Sequence, residues 1–303
     1  MKISLIFILC GLVGLFGTST FAQDGFVDGV DLTTIKAPWT MRILGNDLDI
    51  TQVQARDEAS AYFMMASEST KLNVSVYIEP VDKCKTGEEC RDYVLGLGNP
   101  AWGKYEQLTK GKLKDFTYFE FFRPEVMGQP IKVQDMYAEY ASDGYWIDLH
   151  ISKVDYTKQD HALFEKVVNA VSFLTKTMTS TSAFDTQKGK AQSVANSWLG
   201  LWDSDKIKDT YAALAPISKA GLTELQWLGY SIRLKQDLIA NKSRSLIAAA
   251  FARSLPSKTD RPLSILAYHS SFTGQASVVE LAALMQEKNG AWVITNYVVP
   301  GVQ

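Results

Sequence analysis

Cysteine and histidine are scarce in this sequence, with three of each among 303 residues. So few cysteines exclude a small disulfide-rich scaffold, and no Cys/His cluster has the spacing of a structural zinc site. The nucleophile pattern G-x-S-x-G, the zinc-protease pattern H-E-x-x-H and the phosphate-binding pattern G-x4-G-K-[ST] are also missing. The sequence therefore contains no motif that identifies an enzyme class, and it predicts no metal site and no cofactor.

Long apolar runs are confined to the first residues. Lys2 precedes an apolar run over residues 3–16, and Thr20-Phe21-Ala22 has the small-x-small pattern of a cleavage site. These features predict a signal peptide over residues 1–22 that is cleaved after Ala22, which places the mature chain in the periplasm or outside the cell. No later stretch approaches the roughly 18 apolar residues of a membrane helix, so no membrane span is expected in the mature chain.

Two cysteines remain after the predicted cleavage, Cys84 and Cys90. In an oxidising compartment they are expected to form a disulfide bond that closes a small loop, with a stabilisation of about 2 kcal/mol. The alternative is a redox pair or half of a metal site. That alternative is weaker, because C-x5-C is not a C-x-x-C motif and no second cluster completes four ligands.

Residues 175–190 have no sustained apolar period and are rich in Ser, Thr and Lys, a composition typical of a linker. They divide the mature chain into two expected domains, residues 24–174 and 191–303, that fold separately. The first contains 16 basic and 24 acidic residues, a charge of −8, and the second contains 11 basic and 8 acidic residues, a charge of +3. Neither domain is basic enough to indicate nucleic acid as a partner.

Alternation with a period of two residues dominates the first domain. It predicts strands over 60–66, 72–79, 116–123, 131–141 and 145–153, with Asp143-Gly144 as a hairpin turn. Thr86-x-x-Glu89 is a capping box that opens a short helix, and residues 159–174 carry apolar side chains at helical spacing. This order predicts an α+β sandwich around an antiparallel sheet.

The second domain reads as helices first and strands afterwards. Helices are predicted around residues 191–202 and 222–240, followed by strands over 243–255, 263–272, 276–287 and 291–299. Asn289-Gly290 predicts a type I′ turn between the last two strands. The expected fold is an α+β half-cone, like the nuclear-transport-factor or cystatin-like folds.

Two family resemblances accompany these patterns. The strand and helix order of the first domain, with its closing FEKVVNAVSFL segment, resembles the PsbP-like fold, whose members are mostly small binding or assembly factors. The segments AQSVANSWLGLWDSD, YAALAPISKAGLTELQW and GAWVITNYVV of the second domain resemble the bacterial domain-of-unknown-function family four-zero-one-nine. The second resemblance implies an exported bacterial protein and no particular chemistry.

The histidines and aromatic residues are the remaining candidates for a site. His150 alternates with Asp148 on a strand, which fits a polar sheet face better than a catalytic pair, and His161 is expected to be solvated. His269 is expected to be half-buried, with Glu280 diagonally across the next hairpin. A ligand of the second domain, if one binds, is expected between four side chains that an open half-cone would bring together: Trp227, Tyr268, His269 and Tyr297.

These observations favour a non-enzymatic, exported bacterial protein that binds another protein, an envelope component or a small apolar molecule. One alternative is an enzyme in which His269 acts as acid or base in the cone. Another is an immunity or effector-handling protein, because sandwich folds of this kind can serve as interaction platforms.

Overall fold

The computed structural model describes residues 29–45, 47–97, 106–126, 128–176, 183–252 and 261–301. The predicted signal peptide lies outside these residues. The first half of the chain contains ten strands and two α-helices in its described part. They are β1 Gly29–Thr34, β2 Trp39–Leu44, β3 Asp49–Ala55, β4 Ala61–Ala66, β5 Leu72–Pro80, α1 Gly87–Leu97, β6 Glu106–Leu113, β7 Phe116–Arg123, β8 Val133–Ser142, β9 Tyr145–Val154, α2 His161–Asn169 and β10 Val171–Thr175.

The second half contains helices followed by strands, as expected. They are α3 Ala183–Asp203, α4 Ile207–Ala212, α5 Pro216–Gly221, α6 Glu224–Asp237, β11 Asn241–Ala252, β12 Leu263–Phe272, β13 Gln275–Gln286 and β14 Trp292–Val298. The α+β class with antiparallel sheets is therefore confirmed. The curling of the last four strands into a half-cone stays a prediction.

Seven strands of the first half form one antiparallel sheet, here called sheet B, in the order β3-β4-β5-β9-β8-β7-β6. The predicted pairing of residues 60–66 with 72–79 is present as β4 against β5. The predicted hairpin is present too, because Ser142 pairs with Tyr145 while Asp143 and Gly144 both have positive φ angles, 53° and 77°. Two successive positive φ angles define the type I′ turn, whose twist matches that of the strands.

The other sheet, sheet A, contains strands from both halves of the chain in the order β10-β2-β1-β11-β12-β13-β14. Its two parts meet where β1 pairs with β11, in a register that runs from Val30 opposite Ala252 to Thr34 opposite Ala248. The expectation that the two domains fold as separate bodies is therefore wrong. A continuous hydrogen-bonded sheet crosses between them, and the backbone groups of β1 and β11 satisfy one another.

The predicted linker also differs from the structure. Thr175 ends β10, residues 177–182 lie outside the described part, and α3 begins at Ala183. Gln187, in the second turn of α3, accepts a hydrogen bond from Trp292 Nε1 at 3.1 Å, so contacts with β14 hold a segment whose composition indicated no regular structure. The predicted boundaries, 24–174 and 191–303, stay a prediction.

Two further corrections concern local structure. The helix predicted over 159–174 ends at Asn169, and Val171–Thr175 forms β10 instead, because these residues complete the edge of sheet A against β2. The turn at Asn289-Gly290 is not type I′, since Gly290 alone has a positive φ, 83°. Gly290 N–H donates to the carbonyl of Glu287 at 2.9 Å, as in a type I turn followed by a glycine bulge.

Three apolar clusters order the molecule into layers. The largest lies between the two sheets and contains residues of both halves, such as Leu32 and Met41 together with Ile247 and Ala250. A second cluster lies between sheet A and helices α3 and α6. The third lies between sheet B and α1. The order of layers is therefore α1, sheet B, sheet A, and the C-terminal helices.

The shared sheet leads to a first prediction. We expect the full mature chain to unfold in one thermal transition, and we expect residues 24–174 or 191–303 produced alone to show no cooperative transition. Each half alone would expose the apolar inner face of sheet A and an unpaired strand edge, at β1 or at β11. Differential scanning calorimetry measures both quantities, and a stable isolated half would contradict the prediction.

Candidate functional site

Three of the four residues expected to line a ligand cavity lie in the aromatic core beneath α3 and α6. Trp227, Tyr268 and Tyr297 are each at most 3% exposed. Their polar atoms have partners: Trp227 Nε1 donates to Thr210 Oγ1 at 2.9 Å, and Tyr268 donates to Asn196 Oδ1 at 3.2 Å. These rings pack as core, and their role in ligand binding stays a prediction.

His269 lies apart from these three, on the opposite face of β12. Its Nε2 is 3.0 Å from Ser277 Oγ, and it borders an open cleft of about 430 Å³. The cleft is lined by Lys36, Arg56, Asp57, Glu58, Ala59, Ile247 and His269. The expectation that Glu280 faces His269 is wrong, because the register places Glu280 opposite Tyr268, on the helix side of the sheet.

Glu280 belongs instead to a buried network beneath α3. Both of its carboxylate oxygens accept from Arg244, at 2.6 and 2.9 Å, and they also accept from Ser270 and from the Tyr297 hydroxyl. Burial opposes the charge of Arg244, but its hydrogen bonds to Glu280 and Asp203 outweigh this effect and raise its pKa. Burial and the nearby carboxylate of Glu280 raise the pKa of Tyr297. Both carboxylates in this network, Asp203 and Glu280, pair with Arg244. We therefore interpret the network as structural, holding the surrounding core side chains in place.

A second prediction tests this interpretation. Arg244→Met should destabilise the protein by about 3–5 kcal/mol, because it leaves the fully buried Glu280 without its cation. The double variant Arg244→Met/Glu280→Gln should recover most of that loss, since it removes both charges. Urea unfolding followed by circular dichroism measures the free energies. Equal losses in the two variants would show that packing of the Arg244 side chain, and not its charge, is responsible.

The other candidate region is the face of sheet B that is turned away from sheet A, here called the outer face. Helix α1 covers one side of it and makes its contacts with β7 and β8. Gly87 allows this close approach, since a Cβ at this position would lie 2.6 Å from Thr117 Oγ1 and 2.8 Å from the carbonyl oxygen of Glu139. The disulfide between Cys84 and Cys90, which is confirmed, joins the first turn of α1 to the segment that follows β5. The β4, β5 and β9 side of the outer face is left more open.

His150 lies on this outer face, and its ring nitrogen contacts a buried aspartate. His150 Nε2 is 2.8 Å from Asp135 Oδ1, and its ring stacks on Tyr137 at 4.1 Å. Arg123 donates to both oxygens of Asp135, at 2.6 and 2.8 Å. The aspartate that His150 contacts is therefore Asp135 on the neighbouring strand, and not Asp148 on its own strand. His161, expected to be solvated, is partly exposed, and its ring nitrogens lie 3.2 Å from Glu120 and 3.5 Å from Glu165.

Next to this group, two carboxylates face each other across β8 and β9. Glu139 and Asp148 are directly opposite in the register, and Tyr77 on β5 is opposite Asp148 on its other side. Glu139 is fully buried, and Trp146 Nε1 donates to its Oε2 at 2.6 Å. The remaining oxygens, Glu139 Oε1 and Asp148 Oδ1, are buried and have no hydrogen-bond donor among the described residues.

The environment of these carboxylates disfavours their ionised forms. Burial raises the pKa of Glu139 well above its usual range, and the charge of Asp148 adds to the effect. Burial likewise raises the pKa of Asp148 to about 6, against a smaller opposing effect of His150. Two neighbouring acids that resist losing their protons are typical of functional sites.

A third prediction follows from the Asp148 pKa. Because the folded-state pKa of about 6 lies above the unfolded value of about 4, this group favours the folded state below pH about 4. That stabilisation is lost as the pH rises through about 6. Asp148→Asn should therefore be more stable than the wild type by roughly 2–3 kcal/mol above pH about 6 and equally stable below pH about 4.

Urea unfolding at several pH values measures this difference. Asp115→Asn is the matched control, because Asp115 is exposed in the turn between β6 and β7 and its replacement should not change the pH dependence. A difference between wild type and Asp148→Asn that stays constant with pH would contradict the assigned pKa.

Sequence patterns located part of this region. The alternation over 145–153 placed Asp148 and His150 on one face, and the same pattern over 131–141 puts Asp135, Tyr137 and Glu139 on one face. What the pattern of single strands cannot show is the register that brings Glu139 opposite Asp148. The signal that could have identified the site is the placement of acidic residues in the central strand β8 of a sheet.

The described residues contain neither a candidate metal-binding cluster nor a candidate membrane-spanning helix. No group of three or more His, Cys, Asp or Glu side chains in that part of the chain has an arrangement that could hold a metal ion. None of the helices described there is long and apolar enough to cross a membrane.

Comparison with known proteins supports the family resemblance expected for the second domain. Residues 194–297 match the model of a family described as "Protein of unknown function (DUF4019)". Among solved structures, the chain is similar to cyanobacterial PsbP (CyanoP) from Synechocystis sp. PCC 6803, with 13% identity, a TM-score of 0.34, and coverage of 52% of this chain and 97% of that one. It is also similar to a protein from Bacteroides thetaiotaomicron VPI-5482, with 10% identity, a TM-score of 0.35, and coverage of 80% and 87%. A search of curated proteins found no match.

Proposed function

We propose that this chain is a non-enzymatic binding or accessory protein of the bacterial periplasm or envelope, and that its partner binds the open side of the outer face of sheet B. The observation that carries the proposal is the row formed by Tyr62, Tyr77, Asp148 and Glu139, which crosses four strands on this face. It combines accessible aromatic rings with carboxylates that have unfilled hydrogen-bonding capacity.

The aromatic half of the row supports a binding role. Tyr62 and Tyr77 contact each other with ring centroids 4.5 Å apart, and Tyr77 is 44% exposed. Tyrosine is enriched among the residues that dominate protein interfaces, because it supplies a large contact area and a hydroxyl group at a low cost in conformational entropy. A rigid sheet holds both rings in place, so a partner would meet a preformed surface.

The charged groups beside the row support binding rather than turnover. Asp135 is fully buried and is held by Arg123 through two hydrogen bonds, and His150 contacts the same carboxylate while its ring stacks on Tyr137. These contacts fix the groups against each other. A general base needs access to a substrate proton, whereas a binding surface benefits from side chains that are already ordered.

The proposed compartment is supported by two independent features. The first residues have the pattern of a cleavable signal peptide. The disulfide between Cys84 and Cys90 is of the kind that persists outside the reducing cytoplasm. Since this bond holds the first turn of α1, export would also stabilise the helix that borders the proposed surface.

A fourth prediction tests the binding surface. With a photo-crosslinking amino acid in place of Tyr77, irradiation of the producing bacterium should give a discrete crosslinked product, because this side chain would lie within the interface. The matched control is the same amino acid in place of Leu108, which is 42% exposed on edge strand β6 and lies four strands away from β5 in sheet B. Immunoblotting compares the crosslinked products at the two positions.

The proposed export is tested separately. Mass spectrometry of the mature chain should find Gln23 as its first residue.

Equal crosslinking at both positions, or none at Tyr77, would contradict the proposed surface. A mature chain that retains residues 1–22 would contradict the proposed export. The two results are independent, so each part of the proposal can fail alone.

A further inference from the structure

Arginine side chains neutralise three buried carboxylates of this protein in the same way. In each pair, Nε and Nη2 donate to the two different oxygens of one carboxylate, at distances of 2.6–2.9 Å. The pairs are Arg42 with Asp31, Arg123 with Asp135, and Arg244 with Glu280. Each of these three buried carboxylates thus has an arginine that compensates its charge.

Glu139 and Asp148 do not follow this rule. No lysine or arginine forms an ion pair with either carboxylate among the described residues, although Glu139 is fully buried. Each has one buried oxygen that receives no hydrogen bond there, and the two side chains are direct neighbours across β8 and β9. An uncompensated pair of this kind is costly to fold, so it has the properties of a site that is completed by a ligand cation.

The surroundings are suited to an organic cation. Tyr77 is the cross-strand neighbour of Asp148 and is 44% exposed, and the Trp146 indole donates to Glu139. Aromatic faces attract ammonium and guanidinium groups beside a carboxylate. Deepening the proposed function, on which this step rests, we infer that Asp148 and Glu139 bind a primary ammonium group, with Tyr77 and Trp146 beside it.

The pattern of free oxygens favours an ammonium over a guanidinium group. The three arginine pairs named above each use both oxygens of one carboxylate, whereas Glu139 Oε2 already accepts from Trp146 and Oε1 accepts no hydrogen bond among the described residues. Single oxygens on two different residues suit a compact group whose three N–H bonds point in different directions. The ammonium can belong to a lysine side chain of the partner or to a free amine.

Binding is coupled to a proton. Without a ligand, the two acids avoid a double negative charge by retaining a proton on one carboxyl group. The ammonium supplies the positive charge instead, so the O–H bond of that carboxyl breaks and its proton goes to the solvent. The affinity should therefore rise as the pH increases through about 6, the pKa of Asp148.

Other titratable groups also face this pair. On the neighbouring strands and on α1 they are Tyr62, Tyr77, Glu79, His150 and Tyr93. The binding test therefore replaces Asp148 alone and leaves these other titratable groups unchanged.

The fifth prediction uses pentylamine as the probe and the Trp146 indole N–H signal in two-dimensional ¹H–¹⁵N NMR as the reporter, assigned by its loss in Trp146→Phe. Pentylamine should shift this signal saturably in the wild type. Pentanol, which has the same chain without the charge, should not shift it. Asp148→Asn should bind pentylamine about tenfold more weakly or worse, because a hydrogen bond between two charged groups is lost. Asp115→Asn should bind as the wild type does.

Several results would overturn the inference: equal shifts with pentanol, equal affinity of Asp148→Asn and wild type, or an affinity that does not change between pH about 5 and 7. Loss of affinity through unfolding is separable, because Asp148→Asn should be the more stable protein at neutral pH and its other signals report the fold.

The source of the ammonium is decided by comparing pentylamine and 1,5-diaminopentane with a capped lysine, Nα-acetyl-lysine methylamide. Tighter binding of the capped lysine supports a protein partner, and tighter binding of the free amines supports a small ligand. Failure here is distinguishable from failure of the proposed function: crosslinking at Tyr77 without amine binding would retain the surface and reject its ammonium specificity.

Discussion

The hydrogen bonds between β1 and β11 are the contact on which the rest of this structure depends. They join strands that are more than 200 residues apart in the sequence, and they connect β10, β2 and β1 to the four C-terminal strands in one seven-stranded sheet. One apolar face of that sheet packs against sheet B, and its other face packs against α3 and α6. Because the inter-sheet core draws side chains from both halves, we expect the stability of each half to depend on the other.

Within this frame, the protein deals with buried charge in two different ways. Asp31, Asp135 and Glu280 each accept two hydrogen bonds from one arginine, one on each carboxylate oxygen. Their negative charges are therefore compensated within the protein, and no external cation is needed. Glu139 and Asp148 have no such cation among the described residues, and burial together with the charge of Asp148 opposes ionisation of Glu139. This contrast is the basis of the binding site proposed on the outer face of sheet B, whereas the aromatic rings of the C-terminal core are enclosed.

Local patterns predicted those elements whose signal is contained within a few neighbouring residues. The strand over 116–123, the Asp143-Gly144 hairpin and the apolar face of α3 all agree with the structure, because alternation, turn chemistry and helical spacing are local properties. The helical stripe predicted over 159–174 includes Val171 and Leu174, yet pairing with β2 makes residues 171–175 a strand. The expected half-cone cavity includes both Tyr268 and His269, although adjacent residues of a strand point to opposite faces.

The sequence by itself determined the α+β class, most of the strand positions, the Cys84–Cys90 bond and the resemblance of the C-terminal part to a family without known function. Only the tertiary structure decided that β1 completes the C-terminal sheet, that His150 contacts Asp135, and that Glu139 lies opposite Asp148. The physical reason is that strand identity depends on neighbouring residues, whereas strand partners and register depend on which distant faces and edges bury each other. A binding site made of side chains from several strands therefore emerges only when the sheet is assembled.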